Sequence, residues 1–268
     1  MEDLSRGALV NMADGLNIQQ LLKLADALAS LHAYCIKNQG KWEVGFEGRP
    51  SPGIADMIKG AAEKLSLTYP DIFEKRLLQI EDCFDGFFLH QKATSHKDLS
   101  LPPVLVHWDL WTNNILFEST SDGKPGDKIL GIVDWQVVFA GSLACDLATI
   151  LIRCTNSSVR RGNTSIVLKR YYESLNECLR SPRDYLDDTF PSGDEDNNSV
   201  KVPYTYDQVL KAYNTVFPAA VAYLIFALPI MMDGPVCGGN PEKQKELLDR
   251  GKCAIDDYLT LKLSAKAL

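Results

Sequence analysis

The sequence predicts an α+β fold that is mainly α, with a small β segment near its middle. Helical periodicity runs over residues 17–36 and returns from Ser142 onward, while short β-rich runs occupy 104–136. The third observation is composition. In 268 residues, 46% are hydrophobic and 24% charged, enough apolar material for a sizeable core and too much for a disordered or collagen-like chain.

Asp14 or Asn17 is placed to cap the first helix, whose apolar positions Ile18, Leu21, Leu22, Ala25, Leu28, Ala29, His32, Cys35 and Ile36 recur at helical spacing before Gly40. On that apolar face His32 reads as a core histidine with one hydrogen-bond partner. A loop rich in Gly, Pro and Ser follows through Gly53, and helical stretches run over about 55–68 and 71–91, separated by Pro70. After Pro102-Pro103 come VLVH at 104–107, ILFE at 115–118 and KILGIVDW at 128–135. The STSDGKPGD between the last two reads as a hairpin turn. Beyond Ser142, a solvated acidic loop at about 182–203 interrupts the helical pattern, which resumes over 206–232 and 241–263. Val216–Met232 is about one turn short of a membrane span and holds Pro218 and Pro229, so it reads as a core helix kinked or stopped by proline. With no internal repeat, residues 1–268 are expected to form one domain, with 104–136 as its β segment and 142–268 as its helical C-terminal portion.

Lysines and arginines number 28 against 35 acidic residues, and the net charge of −7 with no basic stripe speaks against nucleic acid or anionic lipid as a partner. The seven cysteines are odd in number and hold no C-x-x-C pair, which fits a reducing, cytoplasmic setting. MEDLSRGALVNMADG lacks a basic region followed by an apolar core, so it does not read as a secretory signal.

The chemistry lies in the β segment. His107-Trp108-Asp109-Leu110-Trp111-Thr112-Asn113-Asn114 fits H-x-D-x-x-x-x-N, the catalytic-loop pattern of kinases, and Asp134 follows 25 residues after Asp109 at the end of the next apolar run. Phosphoryl transfer asks a protein mainly for positioning and charge neutralisation. Asp109 would orient an acceptor hydroxyl and take its proton, while Asn114 and Asp134 would offer hard oxygen ligands to Mg²⁺. Taken singly, Asp109, Asn114 and Asp134 are turn formers and a strand-end cap; their order within a strand–loop–hairpin is what favours catalysis. His107 reads as a brace of the loop. A hydrolase using Asp109 and Asp134 as paired carboxylates leaves Asn114 unexplained.

HWDLWTNNILF, IVDWQ and CDLA resemble the superfamily of choline and ethanolamine kinases, aminoglycoside phosphotransferases and the ecdysteroid-kinase-like, or CHK kinase-like, proteins. MEDLS resembles the segment linking the two lobes of such kinases, ALASLHAY the helix after it, and YNTVFPAAVAYLIFALPIM the C-terminal helical portion. The resemblance implies a protein-kinase-like C-terminal lobe, with residues 1–15 as interlobe linker, using ATP and Mg²⁺ on a small-molecule hydroxyl acceptor. It makes Asp109 the catalytic base and Asn114 and Asp134 the metal ligands. Glu2, Asp3 and Leu4 would fall near the adenine, Leu116 and Val133 would floor its pocket, and Asp146 would brace the catalytic loop. Trp108 departs from the small or polar residue common there and would either crowd or help to form the acceptor site. No A-P-E segment follows Asp134, which favours a small-molecule acceptor over a protein. Trp108, Trp111 and Trp135 are placed either to hold a cationic head group, to bury against a flat apolar acceptor, or simply to pack.

The N-terminal lobe of such a kinase carries a phosphate-covering loop and a strand lysine, whereas this sequence opens at about the linker and its first lysine, Lys23, lies in a helix. The expectation is a truncated form with impaired activity alone, or otherwise a degenerate product or a non-catalytic pseudokinase-type binding module. An apolar face where the missing lobe would pack is expected to recruit a partner or self-associate.

Overall fold

The structure, a computed structural model, describes residues 4–47, 53–181 and 204–266. In chain order the elements are β1 (Gly7–Ala8), α1 (Ile18–Lys37), α2 (Ile54–Thr68), α3 (Pro70–Leu78), α4 (Gly86–Ala93), β2 (Val104–Val106), β3 (Ile115–Ser119), β4 (Pro125–Ile132), β5 (Phe139–Gly141), α5 (Ala144–Arg153), α6 (Ser157–Arg180), α7 (Tyr206–Asp233) and α8 (Pro241–Lys266). The fold is α+β and mainly α, as the sequence predicts. The acidic loop expected at 182–203 lies outside the described residues.

Asn17 rather than Asp14 caps α1. Its side chain accepts from Gln20 N at 2.9 Å and Gln20 Oε1 accepts from Asn17 N at 3.1 Å, a reciprocal capping box. Gln20 is buried, and its amide donates to the Gly126 carbonyl at 2.9 Å, fastening α1 to β4. The apolar face of α1 packs on α6, while α7 packs against α2, α5 and α8.

Two expectations are corrected. The stretch 71–91 is not one helix: α3 starts on Pro70, a 3₁₀ turn spans Glu81–Phe84, and Asp85 starts α4 anew by accepting from Phe88 N at 2.9 Å. A local cap thus wins over continued periodicity. Nor do Pro218 and Pro229 stop the later helix, since α7 runs through both for 28 residues. Both prolines are buried, and packing on three helices outweighs the roughly 3 kcal/mol that an interior proline costs. By length and composition α7 is apolar enough to cross a bilayer, but 72% of its apolar window is buried inside the fold, as in a core helix.

Two small sheets carry the β segment. The hairpin β3–β4 forms as expected, and β1 adds to its other edge in the order β1-β3-β4. β2 pairs antiparallel with β5, Val106 opposite Phe139. Neither β1 nor β5, two and three residues long, stands out from the sequence.

His32 is buried as expected, with Nδ1 2.7 Å from the Tyr171 hydroxyl. Burial lowers its pKa to about 3 and that of His96 to about 4. Below about pH 6.5 the unfolded chain takes up protons at both rings that the native state refuses, so stability falls with pH at about 1.4 kcal/mol per unit per histidine. Urea titrations between pH 7 and 5 should show this loss, and His32→Gln should flatten the slope by one histidine's share. An unchanged slope in that variant would contradict a neutral buried His32.

Candidate active site

The loop after β2 opens with a tight turn: Asp109 N donates to the His107 carbonyl at 2.9 Å, with Trp108 at φ +68°. A bulky residue in the left-handed region is strained, and a neighbour must hold it there. That neighbour is Asp146, buried in the first turn of α5. Its Oδ2 accepts from His107 N at 2.7 Å and its Oδ1 from Trp108 N at 2.9 Å. Burial pushes the Asp146 pKa up, against the pull of these two amides and of His107. The loop is thus braced from α5, where the family resemblance placed this aspartate. His107 Nε2 lies 2.9 Å from the Val133 carbonyl and its ring 4.6 Å from that of Trp135, so it links the loop to the end of β4.

Asn114 and Asp134 stand at adjacent strand ends. Ile115 pairs with Ile132, and Val133 N donates to the Asn114 carbonyl at 2.9 Å, which brings Asp134 out beside Asn114. The Asn114 amide nitrogen donates to the Asp109 carbonyl at 2.8 Å, tying the hairpin to the loop. This bond fixes the side-chain amide, whose oxygen takes no hydrogen bond among the described residues. Asp134 is exposed, at φ +65°, and among the described residues accepts only a 3.4 Å bond from Gln136. One amide oxygen and one carboxylate suit Mg²⁺, which keeps several waters and is commonly held by one or two protein oxygens plus phosphates. The described residues hold no cluster of three or more His, Cys, Asp or Glu that would make an all-protein cage.

Leu4 and Leu116 share the outer face of the three-stranded sheet. Leu116 pairs with Gly131, and a Cβ on Gly131 would lie 3.5 Å from Leu4 Cδ1. Gly7, whose amide donates to the Leu4 carbonyl at 2.8 Å, leaves room for Leu116, since a Cβ there would sit 2.7 Å from Leu116 Cδ2. The alternate residues Ile115 and Phe117 are fully buried on the core side. Leu4, Leu116 and Val133 are all half-buried, and Leu9 is half exposed. Glu2 and Asp3 lie outside the described residues.

Beside Asp109 opens a cavity of about 430 Å³ whose walls include Trp108, Phe139, Arg153, Tyr223 and Phe226. Trp108 helps to form it: the indole Nε1 donates to the Tyr223 hydroxyl at 3.2 Å, and the ring meets Tyr223 and Phe139 edge-on at 4.9 and 5.2 Å. The three tryptophans do not form one aromatic site. Trp111 lies under the Arg153 guanidinium at 5.7 Å, and Trp135 packs on His107. Sequence reasoning missed Arg153, whose Nη1 is 3.2 Å from Asp109 Oδ1. The available signal was a lone cation closing the apolar run ATILI; Tyr223 and Phe226, over 100 residues from Asp109, gave none.

A model of the ecdysteroid kinase-like family matches residues 1–183. In Caenorhabditis elegans, the uncharacterized oxidoreductase dhs-27 is 26% identical over 240 residues, covering 87% of this chain and 27% of that protein. The uncharacterized kinase-like protein D1044.1 of the same organism is 24% identical over 221 residues, covering 82% of this chain and 52% of its own length. The chain therefore spans about a quarter and about half of these two relatives. Similar solved structures include a Ralstonia eutropha protein assigned as an aminoglycoside phosphotransferase (12% identity, TM-score 0.41, 96% of this chain and 70% of that one). Another is Plasmodium vivax ethanolamine kinase (15% identity, TM-score 0.38, 94% and 63%). With the family model matched over more than half of its length, the chain belongs to the ecdysteroid kinase-like family.

Proposed function

We propose that the chain carries the catalytic loop and metal ligands of an ATP- and Mg²⁺-dependent phosphotransferase acting on a hydroxyl of a small molecule. One observation carries this reading: Asp109, Asn114 and Asp134 are drawn together by the Asn114–Asp109 and Val133–Asn114 hydrogen bonds, with Asp109 on the wall of a cavity. Asp109 accepts the proton of the acceptor hydroxyl as that oxygen attacks phosphorus. Asn114 and Asp134 hold Mg²⁺, which when bound neutralises the phosphates. Leu4, Leu116 and Val133 form an apolar surface for the adenine, with Glu2 adjoining in sequence. Asp146 and His107 keep the loop in its strained turn. All seven cysteines are free thiols, in keeping with a cytoplasmic setting. A second reading, a non-catalytic module that binds without turnover, draws support from the ion pair that engages Asp109 with Arg153.

Nucleotide binding tests the proposal without a known acceptor. A ligand that favours the native state at 100 times its Kd stabilises by about 2.7 kcal/mol. Mg²⁺-ATP should raise the Tm, ATP in EDTA should raise it much less, and Asp134→Ala should remove the metal-dependent part. No shift in a well-folded sample, or equal shifts with and without Mg²⁺, would sink the nucleotide-binding reading.

A further inference from the structure

Among the described residues that line the cavity beside Asp109, Arg153 is the cation, and its placement bears on which acceptors fit. Arg153 ends α5 with a side chain only 11% exposed. Three things fix it: the Asp109 carboxylate at 3.2 Å, the Trp111 ring beneath it at 5.7 Å, and its own carbonyl, which accepts from Arg250 at 2.7 Å. Its Nε is buried, closed off from the cavity and without a hydrogen-bond partner among the described residues, and Nη2 makes no hydrogen bond among them. Arg153 lines the cavity and its guanidinium spends one Nη1 N–H on Asp109, which leaves the other Nη donors for a ligand. Asp109 Oδ1 accepts from Arg153, and Oδ2 takes no hydrogen bond among the described residues.

We infer that Arg153 is a positioning and specificity residue that selects an acceptor bearing an oxygen next to its reacting hydroxyl, and disfavours one bearing an amine there. The inference rests on the phosphotransfer reading for the role of Asp109 and deepens it by naming the acceptor chemistry. An acceptor hydroxyl donates to the free Asp109 oxygen, and a neighbouring oxygen accepts from the guanidinium. An ammonium at that second position meets a partly desolvated cation instead. Trp111 is occupied by Arg153 and Trp135 by His107, and the rings that line the cavity, Trp108, Phe139, Tyr223 and Phe226, receive the body of the molecule. Glu47 also lines the cavity, but it is exposed and therefore solvated, so it offers an ammonium little compensation.

A matched pair of probes tests this: 1-phenyl-1,2-ethanediol and 2-amino-2-phenylethanol share one skeleton and differ in oxygen against ammonium. Affinities would be read by quenching of tryptophan fluorescence and by thermal shift, on the full chain without nucleotide. The diol should bind about tenfold or more tightly than the amino alcohol, the expected worth of one charge-assisted hydrogen bond. Arg153→Met should bring the ratio near unity, and Arg153→Lys should restore part of it. Equal or tighter binding of the amino alcohol, or no saturable binding of either probe at millimolar concentration, overturns the inference. So does an unchanged ratio in Arg153→Met. The wild-type ratio decides even if the methionine variant does not fold. Because these titrations contain no nucleotide, a failed Mg²⁺-ATP shift with an intact diol preference would count against phosphotransfer alone.

Discussion

Asp109→Asn is expected to lower phosphoryl transfer by about 10²–10⁴-fold, the usual contribution of a positioned general base, with little change in Mg²⁺-ATP binding. The substitution keeps the shape of the side chain and the backbone carbonyl that receives Asn114. It removes the oxygen that would take the hydroxyl proton and weakens the contact with Arg153. Transfer to water serves as the readout until an acceptor is known. A rate within threefold of wild type, in a sample that still binds nucleotide, would assign the proton to another group and leave Asp109 as an anchor for Arg153.

The largest effect on stability is expected from Arg250→Met, on the order of 3 kcal/mol, because three buried carbonyls each lose a donor at about 1 kcal/mol or more apiece. Arg250 is fully buried in α8. Its guanidinium donates to the carbonyls of Met12 at 2.8 Å, Ala13 at 3.1 Å and Arg153 at 2.7 Å, and pairs with Glu246 at 3.3 Å. Burial pushes its pKa down and Glu246 opposes that. Methionine fills much of the volume but leaves three carbonyls with one donor fewer in a dry interior. Urea unfolding would measure the loss. The same variant should disturb the Arg153–Asp109 pair, because Arg250 holds the end of α5 from which Arg153 projects. A loss below about 1 kcal/mol would mean that water or neighbouring groups satisfy those carbonyls unaided.

The parts of the fold legible in the sequence are those fixed by local pattern. The capping signal and apolar spacing of α1, the β3–β4 hairpin around its Gly- and Pro-containing turn, and the adjacency of Asn114 and Asp134 all follow from short stretches of chain. What escaped notice depends on contacts between distant segments. β1 and β5 are too short to carry a pattern and exist because β3 and β2 offer them an edge. Pro218 and Pro229 looked like breaks because their cost is local while the packing that offsets it is not. The cavity beside Asp109 was the least legible, because Arg153, Tyr223 and Phe226 reach it from α5 and α7. Trp108 and Trp111 lie on the loop after β2 and Trp135 follows β4, and each meets a different neighbour, which the sequence leaves open among its alternatives for them.

The most direct measurement is the anomalous scattering of Mn²⁺ bound with ADP in a crystal of this chain, since Mn²⁺ takes the same oxygen ligands as Mg²⁺. The account requires a peak touching the Asn114 amide oxygen and the Asp134 carboxylate, with the nucleotide's phosphates on its other side and Asp109 facing them across the cavity. A peak held by other residues, or nucleotide bound away from β3 and β4, would contradict it.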